Sequence, residues 1–516
     1  MTGMRSRWLM MWAPLGALAL LSLACNAARV VATPVIHKPT PTGGPATDTP
    51  TTSPTAPATP GPTATPAPEL IITPMAPLAN PARPLTPEGP WWVFLSGQDA
   101  PSGSQALSYV LVNADGSGRR VLAAEQPKPQ LWRPSPRGDR FAMVTRPEEG
   151  AQGSPRLRIW KLPDGALETE IELLPADFRQ RNPELGDLDY LQVLAAVGQA
   201  AWSPHGRYLA FTAALDGPSA DIYRFDTWTD VVRRLTDEPE QAYLPTWTPD
   251  GKWIVYLAAE FLSSGMALEA QAVRAVSADG GEQRQLYAIS SGFHRLLFWQ
   301  DAARLWLVEE GPDGWRNLLR LNVESGELRP LYVGPLAGGQ RLAVDDLQQR
   351  ALFLLSGDRQ RGLHVVDLAS GDERWLLEGD WQQVVWWPGK GVFLVAGPDG
   401  ALMVNRAGEV VKTMEEITDP LAPSPDGAWM VAYGPQGAVL YTHIANRVRR
   451  ITEAPVTAVT WRPDSQGFLL LVPAYSGLAN RGHLYHWDME REELLLVDLD
   501  ARRGGFWAGP ALAVKE

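Results

Sequence analysis

Trp247-Thr-Pro249-Asp-Gly251-Lys-Trp-Ile-Val-Tyr256 reads as a tight turn with a strand on either side. Proline at the second turn position pre-sets φ, and Asp-Gly supplies the short polar corner and any positive φ. The run after the turn is apolar and β-branched, and the segment before it carries tryptophan. The same grammar returns at Trp132-Arg-Pro-Ser-Pro136-Arg-Gly138, Trp202-Ser-Pro204-His-Gly206, Trp386-Trp-Pro388-Gly-Lys-Gly391, Pro423-Ser-Pro425-Asp-Gly427 and Trp461-Arg-Pro463-Asp-Ser-Gln-Gly467. In each copy apolar and polar residues alternate over short stretches, the period of a half-buried strand and not of a helix.

A second signature lies in the outer half of the unit. Tyr109-Val-Leu-Val-Asn-Ala-Asp115-Gly-Ser-Gly-Arg-Arg-Val-Leu122 is strand, Asp-Gly turn, strand, and it is echoed at 276–286, 321–326 and 364–371. About forty residues hold four short strands and their turns, and self-similarity at that period marks a radial array of small sheets, a β-propeller. At these residues the chain resembles the TolB-type propeller repeat, relatives of which also form the accessory propeller of prolyl-oligopeptidase-like peptidases. The resemblance covers roughly 90–514 and speaks for fold, because the matching residues build turns and cores.

The second-turn prolines fall at 136, 204, 249, 388, 425 and 463, in steps of 68, 45, 139, 37 and 38 residues. The longest step holds two further units without the proline, at 296–308 and 342–355. The step of 68 is one unit plus an insertion near 175–198. Trp91-Trp-Val-Phe-Leu95 reads as a second strand lacking a first, and Phe506–Val514 as a spare first strand. Pairing the two would close the ring and remove exposed edges. The expected fold is therefore all-β, a single propeller of eight or nine four-stranded blades over 90–516, closed by its N- and C-terminal segments.

Residues 1–24 place Arg5 and Arg7 before an apolar stretch too short to favour an ordinary transmembrane helix, the form of a secretory signal. The stretch ends Leu21-Ser-Leu-Ala24-Cys25, and Cys25 is the only cysteine of 516 residues. It resembles a bacterial lipobox, which implies a diacylated Cys25, an extracytoplasmic chain held to the cell envelope by lipid, and no disulfide. Residues 25–89, rich in Pro, Thr and Ala from position 33, cannot bury a core and read as a disordered, semi-rigid stalk. At about 3.1 Å per residue such a stalk reaches on the order of 150 Å.

A net charge of −12 argues against sequence-independent nucleic-acid binding. The pairs Arg119-Arg120, Arg233-Arg234 and Arg449-Arg450 fall on the outermost strand of a blade, where charge protects an edge. Most of the 21 tryptophans occupy the position before the turn, so packing between blades is their expected role. No Gly-x-Ser-x-Gly elbow occurs, and no segment outside the repeat is long enough for a hydrolase domain, so peptidase chemistry is not expected. The seven histidines are scattered, and His483-x-x-His486 on a strand sends its side chains to opposite faces, which disfavours a metal pair.

Loops joining strands two and three, and those joining blades, emerge on one face. That face collects the long segments 97–107, 146–155, 213–220, 258–270, 473–482 and the insertion 175–198, and variable loops on a rigid scaffold are where binding concentrates. The expectation is a monomeric, surface-tethered binding scaffold without catalytic residues, metal or cofactor, whose protein or glycan partner meets the long-loop face. Two alternatives stand beside it. One is a carbohydrate-active enzyme with acids in the central channel. The other is an envelope-assembly lipoprotein, since His364-Val-Val-Asp-Leu-Ala-Ser-Gly-Asp-Glu-Arg-Trp375 also resembles the repeat of pyrroloquinoline-quinone-type propellers.

Overall fold

The computed structural model describes residues 76–508, apart from 98–106, 127–128, 147–153, 262–267, 290–292, 312–313, 337–340, 356–360, 443–446, 475–478 and the single positions 346, 389 and 418. Cys25 and the N-terminal stretches read above as signal and stalk lie outside this range as far as residue 75. So do residues 509–514, most of the loops at 97–107 and 146–155, and residues 475–478 of the loop at 473–482.

The turns set the local structure. Gly206 N–H donates to Ser203 O at 2.8 Å, Gly251 N–H to Thr248 O at 2.8 Å and Gly427 N–H to Ser424 O at 3.0 Å. Each is a four-residue turn with proline second and glycine fourth, and Gly251 has φ +71°. The hydroxyl residue opening each turn is buried and caps the next strand: Ser203 Oγ accepts from Tyr208 N–H at 3.0 Å, and Ser424 Oγ from Trp429 N–H at 2.9 Å. A hydroxyl there satisfies a buried backbone donor that the turn would otherwise strand.

These turns assemble antiparallel sheets. Among the described residues seven have four strands, running 129–172, 200–234, 241–288, 293–336, 342–378, 383–414 and 421–452. An eighth has seven strands and contains both ends of the folded region. The two units without a proline are present, as Phe293–Trp299 with Arg304–Gly311 and as Leu342–Val344 with Arg350–Leu355. The first strands of neighbouring sheets touch: Pro129–Pro134 meets Ala200–Trp202, which meets Gln241–Trp247, while 342–344, 383–387, 421–423 and 458–461 follow one another in the same way. Sheets converging on their first strands are the blades of a β-propeller.

Apolar clusters fill the gaps between consecutive sheets. Trp91, Val93 and Tyr109 pack on Phe141, Met143 and Trp160. Ile222 and Ala210 pack on Ile254 and Val276. Val431 and Leu440 pack on Phe468 and Leu470. Tryptophan adds a directional bond to this packing. The Nε1–H groups of Trp202, Trp247 and Trp461 donate to the carbonyls of Arg133, Ala201 and Ala422 in the preceding unit, at 3.2, 2.9 and 3.0 Å, and Trp299 donates to Thr246 Oγ1 at 3.1 Å. The expected packing role is therefore seen, together with a hydrogen bond that ties four of the units to their predecessors.

The seven-stranded sheet is ordered 120–126, 107–113, 91–96, 493–508, 481–488, 467–473 and 458–461. One long strand, Glu493–Ala508, pairs with Arg481–Asp488 through its first part and with Trp91–Ser96 through its last, where Val93 faces Phe506 and Trp92 faces Trp507. Register shifts at 94/96 and between 482 and 485 bend the sheet. Its two halves then pack face to face, Trp92, Phe94, Val110 and Val112 against Leu469, Leu471, Leu484 and Val497.

Residues 76–89, assigned by composition to the stalk, lie against this sheet. Leu78 forms a parallel bridge with Leu496, and Ala79 N–H donates to Leu496 O at 2.9 Å. Asn80 O then accepts from Gly118 N–H at 2.8 Å, Arg83 pairs with Asp115, and Thr86 N–H donates to Asn113 Oδ1 at 2.9 Å. Proline-rich sequence forms no strand ladder of its own, but an outer edge supplies the partners it lacks.

If the indole bond matters beyond the area it buries, Trp247→Phe should lose about 1 kcal/mol and Trp247→Ala about 3–5 kcal/mol in urea unfolding. Equal stability of Trp247→Phe and the parent would show the bond to be idle.

Candidate functional site

The segment following Leu167–Glu172 is the largest elaboration of the long-loop face, and its residues are described throughout. It is helical, which strand periodicity alone does not foresee: α1 spans Phe178–Arg181 and α2 spans Asp187–Ala196. Gly186 N–H donates to Asp189 Oδ2 at 2.9 Å, and Asp187 and Asp189 sit in the first turn of α2, where the helix dipole favours negative charge. Phe178, Val193, Ala196 and Val197 are buried against Leu157, Leu209, Phe211 and Tyr223, so the insertion shares the core of two sheets. Arg146 fixes its far end by donating to Val197 O at 2.7 Å. Near its start the Arg179 guanidinium lies 4.0 Å over the Tyr190 ring and pairs with Asp187 at 2.8 Å.

α2 also touches Gln241–Trp247 and Leu268–Ser277 of the next sheet, and so leans toward the innermost strands. Its outer face presents Leu188 and Leu191, 59% and 46% exposed, beside the Arg179–Tyr190 stack. Spacing of three places both leucines on one side of the helix.

Beside α2, connections 214–220 and 235–240 carry a dense polar network. Asp221 is fully buried and accepts from Thr236 Oγ1 at 2.8 Å, Ser219 Oγ at 3.3 Å and Arg234 at 2.6 Å. Burial raises its pKa, only partly opposed by Thr236 and Arg234. Arg274 reaches Glu238 at 3.0 Å and Glu240 at 2.8 Å, and Tyr256 donates to Glu238 at 2.9 Å. Hydrogen bonding from Arg274 holds Glu240 below the usual carboxylate range. Burial opposes the Arg274 charge, but Glu240 and Glu238 outweigh it and hold its pKa up. Tyr223 is pushed up to about 12 by burial, reinforced by Asp216. Asp221, Glu238 and Glu240 are thus engaged by arginine or hydroxyl donors, which makes this a pinned platform and not an acid–base pair.

The segment 258–270 is less of a loop than its sequence suggests. Trp253–Phe261 and Leu268–Ser277 extend as a long hairpin with Phe261 opposite Leu268. The three basic pairs do fall at outermost strands, but two of their members turn inward: Arg119 pairs with buried Asp498 at 2.8 Å, and Arg234 with Asp221. No group of three His, Cys, Asp or Glu among the described residues could hold a metal. The first strands of the sheets (129–134, 200–202, 241–247, 293–299, 342–344, 383–387, 421–423 and 458–461) and residues 501–508 contain no Asp or Glu. A carboxylate pair supplied by these strands is therefore excluded.

Comparison with known proteins gives fold and little else. No family model matches the chain. A 54-residue stretch is 43% identical to a protein named uncharacterized peptidase YuxL of Bacillus subtilis strain 168, covering 10% of this chain and 8% of that protein. The chain thus spans under a tenth of that relative. Among solved structures, one described as a eukaryotic initiation factor superposes with a TM-score of 0.54 at 16% identity, over 83% of this chain and all of the other. TolB from Acinetobacter baumannii gives 0.31 at 16% identity over 56% and 63%, and Porphyromonas gingivalis dipeptidyl peptidase 4 gives 0.43 at 12% over 71% and 59%. At such identities likeness speaks for fold alone, and the two overlaps below 0.5 add nothing to that.

His483 and His486 share the strand Arg481–Asp488, and they differ in surroundings. His483 is half-buried. His486 is fully buried, neither ring nitrogen has a partner in the protein, and Cβ atoms at Gly116 and Gly467 would meet it at 3.2 and 2.7 Å. Burial, aided by Arg462, pushes its pKa from 6.5 down to about 4. The unfolded chain therefore binds a proton near pH 6.5 that the folded chain refuses until about 4, so this residue lowers stability as pH falls through that window. The loss should reach about 3 kcal/mol. Urea unfolding at pH 7.5 and 4.5 should show a smaller drop for His486→Gln than for the parent; an identical drop would place the acid sensitivity elsewhere.

Proposed function

We propose that this chain is a lipid-anchored, extracytoplasmic propeller of nine blades, a non-catalytic scaffold that meets a protein partner on the face carrying α2. Counting Glu493–Ala508 as fourth strand of the last blade and first strand of the first gives nine blades and a ring closed between the chain's two ends. The pairing of Val93 with Phe506 supports this reading. The observation that carries the functional reading is the contrast on the long-loop face. Its buried ionisable groups are spent on holding the connections, while Leu188 and Leu191 stand exposed on a helix that is itself firmly seated. Rigid apolar anchors flanked by arginine and tyrosine suit protein recognition. The peptidase in the name of the short sequence match does not transfer, since no Gly-x-Ser-x-Gly occurs here. The reading with acids in the channel finds no carboxylate on the innermost strands.

A photo-crosslinker at position 191 should give a discrete adduct in envelope preparations, absent from the same crosslinker at position 228 on the opposite, short-turn face. Equal labelling at both, or none at 191, sinks the face assignment. Cys25→Ser should abolish incorporation of labelled fatty acid and release the chain from the membrane fraction; undiminished membrane association rules out the lipid anchor. Removing 503–516 should open the ring and cost about 4 kcal/mol or more, or cause aggregation. An unchanged melting temperature in a monomeric product places closure elsewhere.

A further inference from the structure

We propose that the strap of residues 76–89 on the seven-stranded sheet is a latch released by acid, in which protonation of the buried His486 ring drives off the turn that covers it and loosens the strap hung on that turn. The device needs neither the lipid anchor nor a partner.

His486 lies on Arg481–Asp488, opposite Leu469 on one neighbouring strand and Leu495 on the other, and it is fully buried with no partner for either ring nitrogen. Once protonated, both nitrogens are donors and need acceptors. The charged groups that face the ring are Asp115 in the covering turn, Arg462 and Asp464 in the turn before Gly467–Pro473, and Asp488 at the end of its own strand. The three carboxylates favour the imidazolium, but burial and Arg462 outweigh them. All three are also engaged elsewhere: Asp115 by Arg83 and Ser117, Asp464 by Arg462, and Asp488 by the N–H groups of Glu490 and Arg491. A charged ring is therefore accommodated by opening to water.

One wall around the ring moves more easily than the others. Leu469 and Leu495 are fixed in strand ladders, and Gly467 pairs with Asp488. Residues 114–119 lie outside the ladders, between Asn113 opposite Trp91 and Arg120 opposite Leu111. Gly116 packs so closely that a Cβ there would meet His486 Cβ at 3.2 Å. Trp92 donates to Ala114 O at 3.2 Å and Arg119 to Asp498 at 2.8 Å, which holds the two ends of the turn and confines opening to 115–118. The strap hangs on this stretch. Gly118 N–H donates to Asn80 O at 2.8 Å, Arg83 pairs with Asp115, and Arg83 reaches Ser117 Oγ at 3.5 Å. Within 76–89 Ala79 alone is buried, so little else retains the strap.

The ring binds a proton near pH 6.5 when opened to water and near 4 when covered, so acid favours the open turn through that window. Burial works against the Asp115 charge, but Ser117 and Arg83 outweigh it and hold its pKa down. The Arg83–Asp115 pair thus persists through the same window, and the histidine is the trigger.

Hydrogen exchange of the full chain at pH 7.5 and 4.5, corrected for intrinsic rate and read by mass spectrometry, tests this. Protection of peptides covering 76–86 and 114–119 should fall about seventyfold, and at pH 4.5 it should stay far below that of Gly467–Pro473. In His486→Gln the same peptides should keep their protection. Equal protection of strap and strand at pH 4.5 means that only global unfolding frees the ring, and overturns the latch, as does an equal fall in His486→Gln. Should that variant not fold, the pH dependence of the parent decides. A fall that begins near pH 6.5 supports the latch, and one confined below pH 4 assigns the change to carboxylates and overturns it.

Discussion

The two ends of the folded region are joined by a strand that serves two ladders of one sheet. Residues 493–508 leave the ladder of Arg481–Asp488 and enter that of Trp91–Ser96 without a break in the chain. The corner is pinned by a buried carboxylate: Asp498 accepts from Ser96 Oγ at 3.0 Å, from Arg119 at 2.8 Å and from Asp500 N–H at 2.8 Å. Burial raises the Asp498 pKa despite Arg119, so ionisation at the corner is opposed by its own surroundings. Such a group adds little net stability. It does penalise any slip of register, because a one-residue shift would leave a charge buried among apolar side chains. Asp500, two residues on, is paired with Arg481 on the neighbouring strand, and its carbonyl accepts from Gly97 N–H at 3.0 Å.

Between the sheets the same problem is solved by repetition. Each gap is filled by aliphatic and aromatic side chains that could slide on one another, and the indole N–H fixes their relative height. At Leu421–Pro423, where the tryptophan is missing, another device stands in. Gln383 bridges to the backbone of Leu421 in both directions, donating to its carbonyl at 2.9 Å and accepting from its N–H at 2.7 Å. Packing supplies the bulk of cohesion here, and directional bonds supply alignment.

The turns, the tryptophans and the units lacking proline were legible because each is written in consecutive residues. Three things were not. The helical insertion around Asp187–Ala196 has apolar residues on several sides, so neither period stands out; the core of Leu157, Phe211 and Tyr223 decides which side is buried. Residues 76–89 look like linker, and their partners Leu496, Gly118 and Asn113 are distant in sequence. The Arg274–Glu240 and Arg234–Asp221 network joins residues from separate strands and connections, and nothing local in Arg274 distinguishes it from an edge-protecting arginine. The hydroxyl opening each turn was visible as a recurring Ser or Thr at 135, 203, 248 and 424, but its capping role follows only from the hydrogen bonds.

The strap formed by residues 76–90 has a mechanical meaning. Leu78 lies parallel to Leu496 on the outer edge of the seam sheet, and Asn80, Arg83 and Thr86 continue across to the 107–126 side. A pull applied to the N-terminal side of the chain is therefore taken up first by short bonds at the bridge and the Arg83–Asp115 pair, and only afterwards by the strands that join the two ends. Those bonds act as a fuse. Modest tension would peel the strap and free the span of some fifteen residues, on the order of 50 Å, before it reached the strands.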